Sequence, residues 1–136
     1  MVQYRWSTLD QWTKKTEKRI DAVLKDATQS VVAVAQVSRD EGGRMPVDTG
    51  NLRNSLQSSI AGGASGEGKE SYIMVAGNMK GGDLATFTWG NDDVPYAAAV
   101  NNGAQGRPGA HFVEGAVDQW PAIVRASIAK AKARVG

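Results

Sequence analysis

The run Ser71-Tyr72-Ile73-Met74-Val75-Ala76 is followed, after Gly77-Asn78-Met79-Lys80-Gly81-Gly82-Asp83, by Leu84-Ala85-Thr86-Phe87-Thr88-Trp89, and this stretch decides between an all-helical and a mixed fold. Both runs are rich in aromatic and branched apolar residues, and the connection is rich in glycine, which predicts two strands of an antiparallel hairpin. Strands this short need a helix packed on one face to be stable. Upstream, Gln57-Ser58-Ser59-Ile60 reads as the start of a further strand, and Gly62-Gly63-Ala64-Ser65-Gly66-Glu67-Gly68-Lys69 as a flexible loop.

The covering helices lie toward the two ends. Leu9, Trp12, Thr16, Ile20, Val23/Leu24, Ala27, Val31 and Val34/Ala35 recur at three- and four-residue spacing, with the lysines mostly off that stripe. This is an amphipathic helix from about Thr8 to Val37. Ser7-Thr8-Leu9-Asp10 has the form of a capping box at its start, and Gly42-Gly43 is a stop beyond its end. At ~1.5 Å per residue it is about 45 Å long, more than a domain of this size needs to cover its core, so part of the stripe is expected to face a partner.

Near the C-terminus a second stripe joins Phe112/Val113, Ala116/Val117, Trp120, Ile123/Val124, Ser127/Ile128 and Ala131. Pro121 inside it predicts a kink near Val117 or a restart with Trp120 in a cap-like place. Trp12 and Trp120, both on stripes, are expected in the core, whereas Trp6 and Trp89 sit at element ends, where interface aromatics are common. Pro46 to Leu56 reads as a turn leading into a short helix that carries Leu52 and Leu56 inward, with Asp48 or Thr49 as its cap. Val94 to Val100 reads as another short helix, started at Pro95 and stopped at Asn102-Gly103. The fold expected is α+β: a long N-terminal helix, a small antiparallel β-sheet of three to four strands, a short helix, and a C-terminal helix packed on the sheet. It forms one domain over residues 1–136, with flexible loops near 40–51, 61–70, 77–83 and 101–110.

Composition narrows the function. A chain of 136 residues with 41% apolar and 22% charged side chains can bury a real core and is neither disordered nor fibrous. The absence of cysteine excludes disulfides, thiolate catalysis and cysteine-containing zinc sites, and a single histidine excludes His-rich metal sites. No apolar run approaches the ~20 residues of a membrane-spanning helix, and the first residues lack the apolar stretch of a secretory leader. The net charge of +2 hides a pattern. Residues 1–39 carry seven cations and four anions, residues 40–119 five and ten, and residues 120–136 four and none. Lys130, Lys132 and Arg134 suit a helix C-terminus, and they are also the residues that would reach phosphates or a partner.

Reactive constellations are weak. Gly63 to Lys69 fits G-x-x-x-x-G-K, but Glu70 stands where a phosphate-binding loop needs Ser or Thr, and a strand rather than a helix is expected next. Asp83, Asp92 and Asp93 match no cation-binding spacing, and Asn91-Asp92-Asp93 is turn chemistry. His111 lacks a recognisable nucleophile or orienting carboxylate. No catalytic, cofactor or metal residue is expected.

Two segments carry a resemblance. Pro46-Val47-Asp48-Thr49-Gly50-Asn51-Leu52-Arg53-Asn54-Ser55-Leu56 resembles the D-T-G-x-L-R-x-S signature of a tail-component family of long-tailed bacteriophages and prophages. These are the minor tail, tail-completion or neck proteins. Pro95-Tyr96-Ala97-Ala98-Ala99-Val100-Asn101-Asn102-Gly103-Ala104 and Gly109-Ala110-His111-Phe112-Val113-Glu114-Gly115-Ala116 are similar to its second signature, a Tyr-Ala pair, a turn glycine and a His-Phe entry into the last helix. Relatives commonly carry an acidic residue two before the glycine, where this chain has Asn101.

The resemblance implies a non-enzymatic virion protein of the tail or neck, assembled in the bacterial cytoplasm as a ring, a hexamer. Its implied partners are other copies of itself, the head-closure or connector protein, and the tail terminator or tail tube protein, with genomic DNA passing through the lumen. A tail terminator, or a small basic nucleic-acid-binding module, is the alternative. In this picture Asp48 and Thr49 cap the turn, Gly50 supplies an unusual backbone conformation, and Leu52, Tyr96 and Phe112 anchor the loops on the core. Arg53 reaches a neighbouring subunit or a carboxylate such as Glu114, and Asn101, Gly103 and His111 complete the motif.

Overall fold

The apolar stripe of the N-terminal region winds residues Trp6–Gln36 into one 31-residue helix, α1. A computed structural model, which describes residues 6–46, 50–104 and 106–135, sets the rest around it. A 3₁₀ turn, Arg39–Glu41, follows α1 and is closed by Gly42 in the left-handed region. The chain then forms α2 (Asn51–Asn54), β1 (Gln57–Ile60), β2 (Ser65–Glu67), α3 (Ser71–Gly77) and β3 (Ala85–Thr88). It ends with α4 (Ala97–Asn102), β4 (Gly103–Ala104), β5 (Arg107–Pro108), α5 (Phe112–Val117) and α6 (Trp120–Val135). The class is the expected α+β, with a three-stranded antiparallel sheet ordered β2-β1-β3 and a separate β4–β5 ribbon.

The sheet is built differently from the expected hairpin. Ser71–Gly77 is helix, and the partners of β1 are β2, from within the glycine-rich stretch, and β3. Packing overrides strand propensity here. One face of the sheet presents Ile60, which is covered by Val75 of α3 and by Met79 in the turn just beyond that helix. Ile73 and Met74 consequently point outward. The start of α3 is tied to β1 where the Ser58 and Ser71 hydroxyls meet at 2.8 Å, and Ser71 Oγ also donates to the Gly68 carbonyl. The other face of the sheet is polar: Gln57, Ser59, Ser65, Glu67, Thr86 and Thr88 line a shallow depression there.

Pro121 produces the restart rather than the kink. Helix α5 ends at Val117, and α6 begins at Trp120, where the missing proline amide costs nothing in the first turn. The C-terminal helix lies on α1, not on the sheet: Ser127 Oγ donates to Asp26 Oδ2 at 2.7 Å, and Lys130 Nζ lies 3.5 Å from Asp26 Oδ1. Val117 faces Val31 and Val32 while Ser127 meets Asp26, so α6 runs antiparallel to α1. Trp120 ends up 40% exposed, against the expectation that its stripe is core. Within α6 Trp120 shares a face with the buried Ser127 and Ala131, and it stands at the first residue of that face. Helix α1 starts at Trp6, so Ser7 falls inside its first turn rather than ahead of it; the side chains of Ser7 and Trp12 lie outside the described residues.

The main core gathers Ala35 of α1, Met45, Leu52, Val94, Ala97, Ala110, Phe112 and Ala116. Among the described residues no helix is long and apolar enough to cross a membrane.

Candidate interaction surface

Gln36, the last residue of α1, is buried and joins three elements. Its Oε1 accepts the Trp89 indole N–H at 2.9 Å, and its Nε2 donates to the carbonyls of Arg53 and Lys69 at 3.1 and 2.8 Å. Trp89 in turn sets its ring edge-on to Phe112, centroids 5.3 Å apart. Trp89 is therefore half-buried against the core, and it also lines the apolar groove described below. The sequence does contain a signal for Gln36: it is a polar residue one position after the buried Ala35, at the end of an apolar stripe.

The second junction centres on Asn101, also buried. Its side-chain oxygen accepts the Val113 amide at 3.2 Å, its Nδ2 donates to Glu114 Oε1 at 3.0 Å and to Asn102 Oδ1 at 2.9 Å, and its carbonyl accepts the His111 amide. Asn101 thus caps α5 from the end of α4. Gly109 is packed so closely that a Cβ there would collide with the Asn101 carbonyl. His111 precedes α5 with φ 51°, the one non-glycine residue in the left-handed region among the described residues, and its Nδ1 lies 3.6 Å from Glu114 Oε2. The Glu114 carboxyl is held below its ordinary range, first by its own backbone amide, then by the Asn101 amide and the His111 ring, against some desolvation.

The motif residues divide accordingly. Leu52 and Phe112 anchor the core as expected, Gly50 takes φ 80° at the cap position of α2, and Gly103 ends α4 and opens β4. Tyr96 does not anchor: it is 42% exposed, because the short helix α4 buries Ala97 and Asn101 instead. Arg53 does not meet Glu114, which is occupied by Asn101 and His111; its guanidinium acts electrostatically on Tyr72, whose phenol burial and Glu70 push up and Arg53 pulls down. Asp48 and Thr49 lie outside the described residues, as does the Arg134 side chain.

Compared with protein-family models, curated proteins and solved structures, the chain matches none. Its role is therefore read from its own surfaces. The P-loop expectation loses one of its two objections, since a helix does follow the glycine-rich stretch, but Glu70 still replaces the required hydroxyl and the Gly68 amide is spent on the Leu56 carbonyl. Asn91 Oδ1 accepts the amides of Asp93 and Val94, an Asx turn, and among the described residues no cluster of acidic or histidine side chains is arranged to hold a metal ion.

Two surface features remain. An apolar groove of about 200 Å³ runs between Val31, Val32 and Ala35 of α1, Phe87 and Trp89 beside β3, and Val113, Ala116 and Val117 of α5. Because α6 is antiparallel to α1, the two basic chain ends converge on one pole, where the cations of residues 14–25 stand near Lys130 and Lys132.

Proposed function

We propose that the protein is a structural component of a long-tailed bacteriophage virion, a ring-forming neck or tail-completion protein that joins the tail to the capsid connector and lets DNA pass. The observation that carries this reading is the meeting of the resembling segments. Leu52 of the first, Ala97 of the second and Phe112 and Ala116 of the third pack into one core cluster, although they are spread over more than sixty residues of sequence. Residues that a ring protein would use to fix its contact loops are thereby held by a single rigid centre, while an unfilled apolar groove supplies surface for head-to-tail contact. The α+β fold, the long α1 and the polar outer sheet face support the same reading, and no catalytic step is part of it.

The decisive experiment is a particle assembled without this protein. Filled heads and separate tails are expected in electron micrographs; joined, infectious particles would overturn the role. A terminator role is distinguished by tail length, which would become irregular in its absence.

A further inference from the structure

The two edges of the three-stranded sheet are unlike. At one edge β2 carries Glu67, and the Met74 methyl lies over Gly66. A charge and a cover are usual protections of an unpaired strand. At the other edge β3, Ala85–Thr88, has neither a charge nor a proline, and no strand of the sheet lies beyond it. The β1–β3 register pairs Ser59 with Thr86 and Gln57 with Thr88, and the Ala61 amide donates to the Leu84 carbonyl. Residues 84, 86 and 88 therefore turn their backbone groups toward β1, and the alternate residues, Ala85 and Phe87, turn theirs to the open edge. Leu84, where this edge begins, is 68% exposed, more than any other large apolar side chain among the described residues.

The strand that suits this edge is β3 itself, from a second copy. In the antiparallel register centred on Thr86, Ala85 exchanges backbone hydrogen bonds with the partner's Phe87, and Phe87 with the partner's Ala85. These two residues share the sheet face of Ile60, so on that face a large side chain meets a small one. On the polar face Thr86 meets its own image, and Leu84 lies opposite the partner's Thr88, whose methyl covers it. The register centred one residue later would instead set Phe87 against its own image and Ala85 against the partner's Trp89, whose indole is already bonded to Gln36. Leu84 to Trp89 carries no charge, so the approach sets no like charges of the strand against one another.

We propose that two copies of the chain pair through β3, antiparallel about Thr86, and so join two three-stranded sheets into one. The same edge serves both partners, so the contact is two-fold and closes at a pair. It goes beyond the ring reading and does not rest on it, since the head-to-tail contacts of a ring use other surfaces.

The chain has no cysteine, so one can be placed cleanly. The Thr86 pair is of the non-hydrogen-bonded kind, with Cα atoms about 4.5 Å apart, within reach of a disulfide. Thr86→Cys is expected to give, on mild oxidation, a covalent dimer on a non-reducing gel. Thr88→Cys, whose image lies roughly 13 Å away along the strand, is expected to stay monomeric. Ala85→Pro in the Thr86→Cys background removes an amide that faces the open edge and leaves the β1 ladder intact, so it is expected to suppress the link while circular dichroism stays unchanged. Sedimentation of the wild-type chain is expected to show a concentration-dependent dimer, and Thr86→Lys, at an exposed position, to shift it to monomer by setting like charges together. A Thr86→Cys chain that does not link, equal linking through Thr88→Cys, or a dimer indifferent to Ala85→Pro and Thr86→Lys would each overturn the pairing. None of these results bears on the ring reading, which the particle experiment tests separately.

Discussion

Asn101 Nδ2 donates to Glu114 Oε1 at 3.0 Å, so the last turn of α4 and the first turn of α5 are locked through one buried amide. An amide fits here where a carboxylate does not: it offers an acceptor to the Val113 amide and a donor to Glu114 at the same time. Asn101→Asp keeps the acceptor, removes the donor and sets like charges together. The expected cost is about 1–3 kcal/mol at pH 7, read from urea denaturation, and it should shrink at a pH where Glu114 is protonated. An unchanged midpoint would show that the junction is not a source of stability.

The Glu114 carboxyl has a folded-state pKa below its unfolded value, so its contribution to stability is present above the unfolded pKa and is lost as pH falls through the folded one. The window is therefore acidic, starting near the ordinary glutamate value of 4.5 and extending below it. Thermal melts of wild type and Glu114→Gln from pH 7 to pH 3 should converge as pH falls. Divergence on acidification would contradict the assignment.

Gln36 carries the heavier structural duty. Gln36→Leu matches it in size but strands the Trp89 indole N–H and the carbonyls of Arg53 and Lys69. With more than one buried polar group left unpaired, the loss should reach about 3 kcal/mol. Tryptophan fluorescence should shift in the folded state, because Trp89 loses its acceptor while keeping its contact with Phe112.

Periodicity found both long helices, the break at Pro121 and the inward Leu52, Leu56 and Phe112, because a stripe at helical spacing reports burial directly. It failed at Ser71–Gly77, where seven residues rich in Tyr, Ile and Val fit either period and the packing of Val75 and Met79 on Ile60 decided the matter. The glycine-rich Ser65–Glu67 was illegible as a strand because its pairing with β1 comes from backbone groups rather than side chains. The Gln36 and Asn101 junctions connect residues distant in sequence, and a single chain gives no sign of which polar residues will meet. Trp89 shows the same limit, since its placement depends on the bond to Gln36.

His111 and Gly109 test the geometry of the same corner. His111 sits at φ 51°, a region that opposes branched side chains, so His111→Val should cost about 1–2 kcal/mol relative to His111→Gly. At Gly109 any side chain meets the Asn101 carbonyl, and Gly109→Ala should be more damaging than either, with loss of amide-exchange protection concentrated in α4 and α5. Equal stability of Gly109→Ala and wild type would mean that the backbone yields there without cost.

The convergence of the basic chain ends bears on DNA. Anions are interspersed at that pole: Asp26 takes Lys130 and the Ser127 hydroxyl, and Glu17 and Asp21 stand among the cations of α1. A surface so neutralised makes few phosphate contacts, so the free chain should bind duplex DNA weakly and without sequence preference, with a shallow salt dependence. Lys132→Glu, on an exposed position of α6, should weaken that binding further without altering stability. In an assembled ring the poles of several copies add, and affinity should rise steeply with assembly. Fluorescence anisotropy with labelled duplex, run on the free chain and on cross-linked multimers, separates the two cases: nanomolar binding by the free chain at physiological salt would favour a dedicated nucleic-acid module over a virion ring.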